Sequence, residues 1–545
     1  MSDTKNTTPE KLENQTEAVS QGEFRLADSG HELERGLKSR HIQFLALGGA
    51  IGTGLFIGSG SILSQCGPAS LLMGYLTVMV IVWFVMNALA EIVVYLPLRG
   101  ITVPYFVTRY VDPSLGFASS FNYWYAYAIL VAAEATAGGL ILDYWKTKVH
   151  IAVWMAIILV VILFLNVIAV EYFGESEFWF ASIKFITIIG LIILGIVIFF
   201  GGAPEQDGIL GFGFWKNPGA FVQFNGIQGS GGRFLSYWRA CVMAGFAFIT
   251  SPELIGLAAG EAVFPRRTIP KAARRFVYRL AIFYGLGSLV IGVVVASNDP
   301  RLLGASGKDA SGSPFVLGIQ RVGIKGLNHV INAAILTSAW SAGNSFLYSG
   351  SRILYSMALQ GQAPKIFTKT TKNGVPIPAV LATWAVGLLS FLNVSSSGAE
   401  VFAWFSNITT ISGYIAWVVV LITYIRFRKA MIYNNMLDVL PFKTRFQPYT
   451  TWFSLVFLVI LTITNGWHIF LNGNWDAPNF VAAYITLPVF IVLYVGHKIF
   501  YRTRFLIPIH EIDVISGKQE MDELEAMDEP PVPRNIWERF WFWLA

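Results

Sequence analysis

Leu47-Gly48-Gly49-Ala50-Ile51-Gly52-Thr53-Gly54-Leu55-Phe56 and Gly245-Phe246-Ala247-Phe248-Ile249-Thr250-Ser251-Pro252-Glu253-Leu254 are two apolar stretches interrupted by small or helix-breaking residues. A helix broken inside hydrocarbon exposes N–H and C=O groups that lipid cannot satisfy, so such a break survives only in protein or beside a polar cavity. In the first stretch, Gly48, Gly49, Gly52 and Gly54 flank Thr53, a density of small residues that also suits close helix packing. In the second, Pro252 removes a backbone donor, Thr250 and Ser251 supply hydroxyls, and Glu253 brings a carboxyl group into an apolar run. Breaks at matching places in two halves of a chain point to a transporter site near the bilayer midplane. A five-helix inverted repeat would pair the first span with the sixth. Half-helix N–H groups would then meet a carboxylate and freed carbonyls an ammonium, which suits an α-amino or α-imino acid and leaves its side chain open.

The surrounding composition fits this reading. Of 545 residues, 54% are apolar and 13% charged, with a mean hydropathy of +0.56; soluble domains carry about 25% charge. Spans of about 20 apolar residues begin near Phe44, Ala69, Leu115, Ile151, Phe178, Trp238, Phe276, Leu327, Ile377, Phe402, Thr451 and Phe480. The expected fold class is therefore an all-α polytopic membrane protein with twelve transmembrane helices, helices 1 and 6 discontinuous. Residues 1–40 read as a disordered cytoplasmic tail, 41–500 as the transporter domain and 501–545 as a cytoplasmic C-terminal tail.

Charge placement sets the orientation. Arg266, Arg267, Lys271, Arg274 and Arg275 follow the sixth span, Arg352, Lys365, Lys369 and Lys372 the eighth, and Arg426, Arg428, Lys429, Lys443 and Arg445 the tenth. The connections after spans one, nine and eleven carry no Lys or Arg, so both termini are expected in the cytoplasm. The net charge of +6 thus reports topology rather than nucleic-acid binding. Cys66 and Cys241 imply no disulfide framework. Metal-ligand clusters, nucleophile motifs and phosphate loops are absent from the sequence pattern, so neither an enzyme nor a cofactor is expected. Lys5, Lys11 and Lys38 are ubiquitin-ligase acceptors or merely solubilising. The aromatic stretch 536–544 suits an interfacial anchor, and Asn393-Val394-Ser395 is a glycosylation sequon close to the membrane.

Glu91, Glu134, Lys184, Glu253 and His329 lie within spans, where a charge is costly and a functional candidate by default. Glu134 sits among small residues and Glu253 beside a break; both are proton-coupling candidates. Lys184 is a third, weighed against snorkelling to the headgroups. Glu91, near Tyr95 and Arg99, and His329, near the outer face, read as structural.

Several of these stretches carry a resemblance. The first break, Ser251-Pro252-Glu253-Leu254, Ala258-Ala259-Gly260-Glu261, Ser349-Gly350-Ser351-Arg352 and Tyr110-Val111-Asp112-Pro113-Ser114-Leu115-Gly116-Phe117 resemble fungal amino acid permeases of the amino acid–polyamine–organocation superfamily. Within that family Gly174-Glu175-Ser176-Glu177-Phe178-Trp179 is broadly shared. Ser313-Pro314-Phe315, Leu336-Thr337-Ser338-Ala339-Trp340-Ser341-Ala342, Leu392-Asn393-Val394-Ser395-Ser396-Ser397 and Leu440-Pro441-Phe442-Lys443-Thr444 look most like the proline-permease branch. The resemblance implies the five-plus-five inverted-repeat fold and proton-coupled import across the plasma membrane. It also implies substrate-binding roles: Gly52, Thr53 and Gly54 at the carboxylate, Phe246 and Phe248 as pocket walls, Trp340 approaching from span eight, and Glu253 at the ammonium. Glu134 and Lys184 would couple protons, a span-five lysine standing where sodium-coupled relatives hold the ion. Met243 stands where the branch is expected to have a Lys, which leaves open whether proline, small neutral amino acids or a broad range is carried. A non-transporting amino acid sensor is the alternative of another class, disfavoured by short tails.

Overall fold

The structure is a computed structural model that describes residues 52–97, 103–146, 148–168, 170–249, 252–253, 265–302, 313–371, 374–394 and 396–527. Gly48, Gly49, Lys5, Lys11, Lys38 and the aromatic stretch 536–544 lie outside the described residues.

Described helices overlap each of the apolar runs, the first only from Gly54 onward. α1 opens as a π-helical turn, Gly54–Gly58, and continues as Ser59–Cys66. Then follow α2 (Pro68–Tyr95), α3 (Val103–Tyr110), α4 (Pro113–Asp143), α5 (Ile151–Ile168), α6 (Val170–Phe199) and α7 (Gly229–Phe248). Later come α8 (Pro265–Val294), α9 (Pro314–Arg321), α10 (Leu327–Leu359), α11 (Ile377–Gly387), α12 (Gly398–Tyr433) and α13 (Tyr449–Ile463). α14 (Ala477–Tyr484) and α15 (Thr486–Tyr501) form one apolar pair bent by 43°, and α16 spans Lys518–Met527. Six described helices are long and apolar enough to cross a membrane, or seven with the bent pair. The chain is thus all-helical and multi-pass. Short and polar helices such as α1, α10 and α11 fall below that test because breaks and polar residues interrupt them.

Local chemistry explains the boundaries. Gly67 turns the chain at φ 87°, and a Cβ there would lie 2.8 Å from the Val222 nitrogen, so glycine alone fits between α1 and the Pro68 that opens α2. Asp112 caps α4 by accepting from the Ser114 N–H, with Pro113 at the first helical position. Ser397 and Glu400 form a reciprocal capping box at the start of α12.

α4 is the central helix: 89% of its apolar window is buried, against 28% for α5. α5 instead turns Val160 and Phe164 outward, as a lipid-facing helix should. Both cysteines are free and buried. Asn393 is buried with its amide donating to Met155 Sδ, so its side chain is occupied by packing.

The segment after α15 is docked rather than a loose tail. The Ile507 N–H donates to the Val111 carbonyl at 3.0 Å, and the buried Tyr95 hydroxyl donates to the Val514 carbonyl at 2.7 Å. Arg109 bonds the Asp513 and Ser516 carbonyls and pairs with the Asp513 carboxylate at 3.1 Å. Arg266 pairs with Asp522 at 2.6 Å while also donating to the Val94 and Tyr95 carbonyls. The strap therefore ties together the ends of α2, α3 and α8. Asp513 loses solvation there, yet N–H donors from Ser516 and Ile515 and the Arg109 charge hold its carboxyl below the usual range.

Candidate functional site

α1 and α7 approach closely at Gly54 and Ala247. A Cβ on Gly54 would lie 2.7 Å from Ala247 Cα, so the side-chain-free position is what allows the contact. Among the described residues nothing would meet a Cβ on Gly52 within 4 Å. The Gly52 carbonyl accepts from Leu55 and Phe56, and the Gly54 carbonyl accepts from the Tyr75 hydroxyl at 3.2 Å. α7 ends as foreseen: Ile249 leaves helical geometry at φ −55°, ψ 140°, ahead of Pro252 and Glu253.

Two buried carboxyl groups stand near the ends of these helices, Glu134 of α4 against Thr53 and Glu253 beyond the end of α7. Thr53 is buried and its Oγ1 donates to Glu134 Oε1 on α4 at 2.8 Å. Glu253 Oε1 accepts from Trp417 Nε1 on α12 at 2.9 Å and from the Tyr123 hydroxyl on α4 at 3.5 Å. Each carboxyl keeps one oxygen, Oε2, without a hydrogen-bond partner among the described residues. A buried carboxyl with an open lone pair has a defined use: it can hold a proton or accept from a bound ammonium.

Lys184 is 1% exposed, which rules out snorkelling in this structure. It interacts electrostatically with Glu177 and Glu134. Glu177, two turns earlier on α6, is also buried and accepts from Ser341 on α10 at 2.7 Å. Sequence reasoning missed Glu177; its seven-residue spacing from Lys184 on one helix face was the available signal. Glu134, Lys184 and Glu177 thus link α4, α6 and α10 beside the first break.

The two phenylalanines separate. Residues 246 and 248 lie about 200° apart around a helix. Phe246 extends between α1 and α12: a Cβ on Gly58 would sit 3.7 Å from its Cδ1, and its ring meets Phe402 edge-on at 5.5 Å. Phe248 is fully buried on the opposite side, with ring centroids 4.3 Å from Tyr284 and 5.9 Å from Tyr75. The two rings thus lie on opposite sides of α7, Phe246 between α1 and α12 and Phe248 against Tyr75 of α2 and Tyr284 of α8. Trp340 packs against a cluster that includes Val131, Ile158, Leu159 and Ile162, on the α5 side of α10. Met243 is partly buried against the main core.

The two residues read as structural behave so. Glu91 accepts from Thr444 N–H at 2.7 Å and from the Thr444 and Tyr424 hydroxyls, with Arg428 at 3.8 Å. His329 Nδ1 accepts from Trp145 Nε1 at 3.0 Å. Among the described residues no group of His, Cys, Asp and Glu is placed to hold a metal ion.

Known proteins resemble this chain over nearly its full length. The sequence profile described as "Amino acid permease" matches residues 41–507. A proline-specific permease of Emericella nidulans is 56% identical over 514 residues, covering 94% of this chain and 93% of that protein. A proline-specific permease of Saccharomyces cerevisiae is 51% identical, covering 92% of this chain and 82% of that protein. A dicarboxylic amino acid permease of the same yeast is 40% identical, covering 91% and 82%. With a family profile matching residues 41–507 and relatives more than 50% identical over most of its length, the chain belongs to the amino acid permease family, transporters rather than enzymes.

Proposed function

We propose that the protein imports amino acids across the plasma membrane together with protons, with proline the leading substrate. The observation that carries this reading is the close approach of α1 and α7 at Gly54 and Ala247, with Glu134 bonded to Thr53 beside it. An α-carboxylate would take N–H groups near Gly52, Thr53 and Gly54, and the amino or imino nitrogen would face Glu253 and the freed carbonyls. Phe246 would close one wall. The proline-specific permeases at 51–56% identity support proline over larger or charged substrates.

The twelve helices would divide into two inverted five-helix repeats plus the last two spans, with both termini in the cytoplasm. One helix bundle would rock against the rest around the fixed site, as alternating access requires. Glu134, Lys184 and Glu253 would carry or sense the coupled proton. Lys184 can play the part of a cation that is lost on deprotonation, which would release Glu134 and Glu177 from its charge. Tail lysines would recruit ubiquitin-ligase machinery.

A wider range of small neutral amino acids is the second reading, favoured by Met243, whose thioether offers no charge to a substrate carboxylate. Uptake of labelled proline, with unlabelled amino acids as competitors, tests both. Competition by proline alone supports the strict reading. Competition by alanine, serine and glycine as well supports the wider one, and absence of proline uptake overturns both.

A further inference from the structure

α7 holds a second ionisable side chain that the junction does not use. Arg239 is 6% exposed, and its Nε and Nη1 have no hydrogen-bond partner among the described residues. Two other buried charges are served: Asp112 pairs with Lys498 at 2.8 Å, and Glu91 accepts from three donors. A guanidinium cannot shed its charge by titrating, so burying one without an anion costs several kcal/mol.

Its position on the helix gives that cost a meaning. Arg239 and Phe246 lie about 20° apart around α7 and are separated by roughly 10 Å along it. Phe246 occupies the gap between α1 and α12, so Arg239 stands over the same gap, toward the outer end of α7. Cys66 at the end of α1 and His468 between α13 and α14 both feel its charge. His468 Nδ1 and the adjoining Trp467 Nε1 are likewise buried without a partner. What this set lacks is an acceptor-rich anion, and a carboxylate matches a guanidinium through two parallel N–H···O bonds.

We propose that Arg239 forms an outer subsite that binds the substrate's α-carboxylate before the substrate reaches the broken helices. The proposal rests on the transport reading above. Any α-amino or α-imino acid presents this group, so the subsite selects for the carboxylate and not for the side chain. Arg239 is a binding residue of the approach path, distinct from the carboxylate donors at Gly52–Gly54.

Arg239→Met and Arg239→Lys, assayed for labelled proline uptake in cells and normalised to surface protein, test it. Methionine removes an unpaired buried charge while keeping length, a change that buried sites tolerate. Loss of a charge-assisted contact predicts that Arg239→Met raises the KM for external proline about tenfold or more. Maximal rate per surface molecule should stay within about twofold, Lys should restore part of the KM, and the KM from the cytoplasmic side, measured in vesicles, should not move. An unchanged external KM, a KM raised equally from both sides, or absence of both variants from the surface overturns the proposal. Wild-type cells that take up no proline overturn the transport reading and this one with it; failure of the variants alone leaves the transport reading standing.

Discussion

Thr53 Oγ1 donates to Glu134 Oε1 at 2.8 Å, joining the residue just past the first break to a carboxyl group in the most buried helix of the fold. Because Glu134 Oε2 has no partner among the described residues, the pair holds one oxygen and leaves the other available. Glu134→Gln keeps the shape and removes the titratable group. It should flatten the dependence of uptake on external pH while surface expression persists, as should Lys184→Ala, whose side chain lies in the field of Glu134 and Glu177. An unaltered pH profile in both variants, measured by uptake from acidic to neutral external pH, would remove them as proton carriers.

Glu253→Gln tests the second carboxyl. Its Oε1 accepts from Trp417, a bond that a glutamine carbonyl can retain. Folding and delivery to the surface should therefore survive. Uptake should fall by tenfold or more, about what loss of one charge-assisted contact predicts. Wild-type uptake in a correctly delivered variant would sink its assignment to substrate or proton.

The opposite placement of Phe246 and Phe248 predicts a split between function and stability. Phe248→Ala leaves a cavity among Tyr75 and Tyr284 and should cost about 3–5 kcal/mol. That loss would be read as a lowered melting temperature of purified protein with little change in the KM of surviving molecules. Phe246→Ala should instead raise the KM and leave the melting temperature within a few degrees. Reversal of the two patterns would overturn this division of roles.

Gly54→Ala probes the close approach of the two broken helices. A methyl group 2.7 Å from Ala247 Cα meets backbone, so α1 and α7 must separate. Uptake should be nearly abolished, whereas Gly52→Ala, whose Cβ meets nothing within 4 Å among the described residues, should be tolerated structurally and should alter only substrate affinity. Surface-normalised uptake kinetics of the two variants separates these outcomes.

The docked C-terminal strap gives a prediction with a defined sign. Asp513 has a depressed carboxyl pKa in the folded protein, so its contribution is present above the unfolded value, about 3.9, and lost as pH falls through the lower folded value. Strap docking should therefore be constant between about pH 5 and 8 and should loosen only in stronger acid. Arg109→Ala should free it at all pH values by removing the ion pair and the bonds to Asp513 and Ser516. Protease cleavage after residue 506 in permeabilised cells reports both; equal resistance in wild type and variant would contradict the strap.

Much of the architecture is legible in the chain itself. Hydrocarbon length and the bar on unsatisfied backbone in lipid make each apolar run a helix and each cluster of glycine or proline a break, so the helix positions and both interruptions follow from residue type. Charge cost in hydrocarbon likewise singled out Glu134, Lys184 and Glu253. Other decisions depend on which helix stands opposite. Only packing placed Glu134 against Thr53 and Trp417 against Glu253, pairs separated by 81 and 164 residues. The rotation of α7, fixed by its contacts with α1, α2 and α12, sends Phe246 to the junction and Phe248 into the core. The same rotation turns Arg239 toward the gap, where Nε and Nη1 find no hydrogen-bond partner among the described residues. Residue chemistry sets what a position costs to bury; the neighbours that meet that cost, or fail to, exist only in three dimensions.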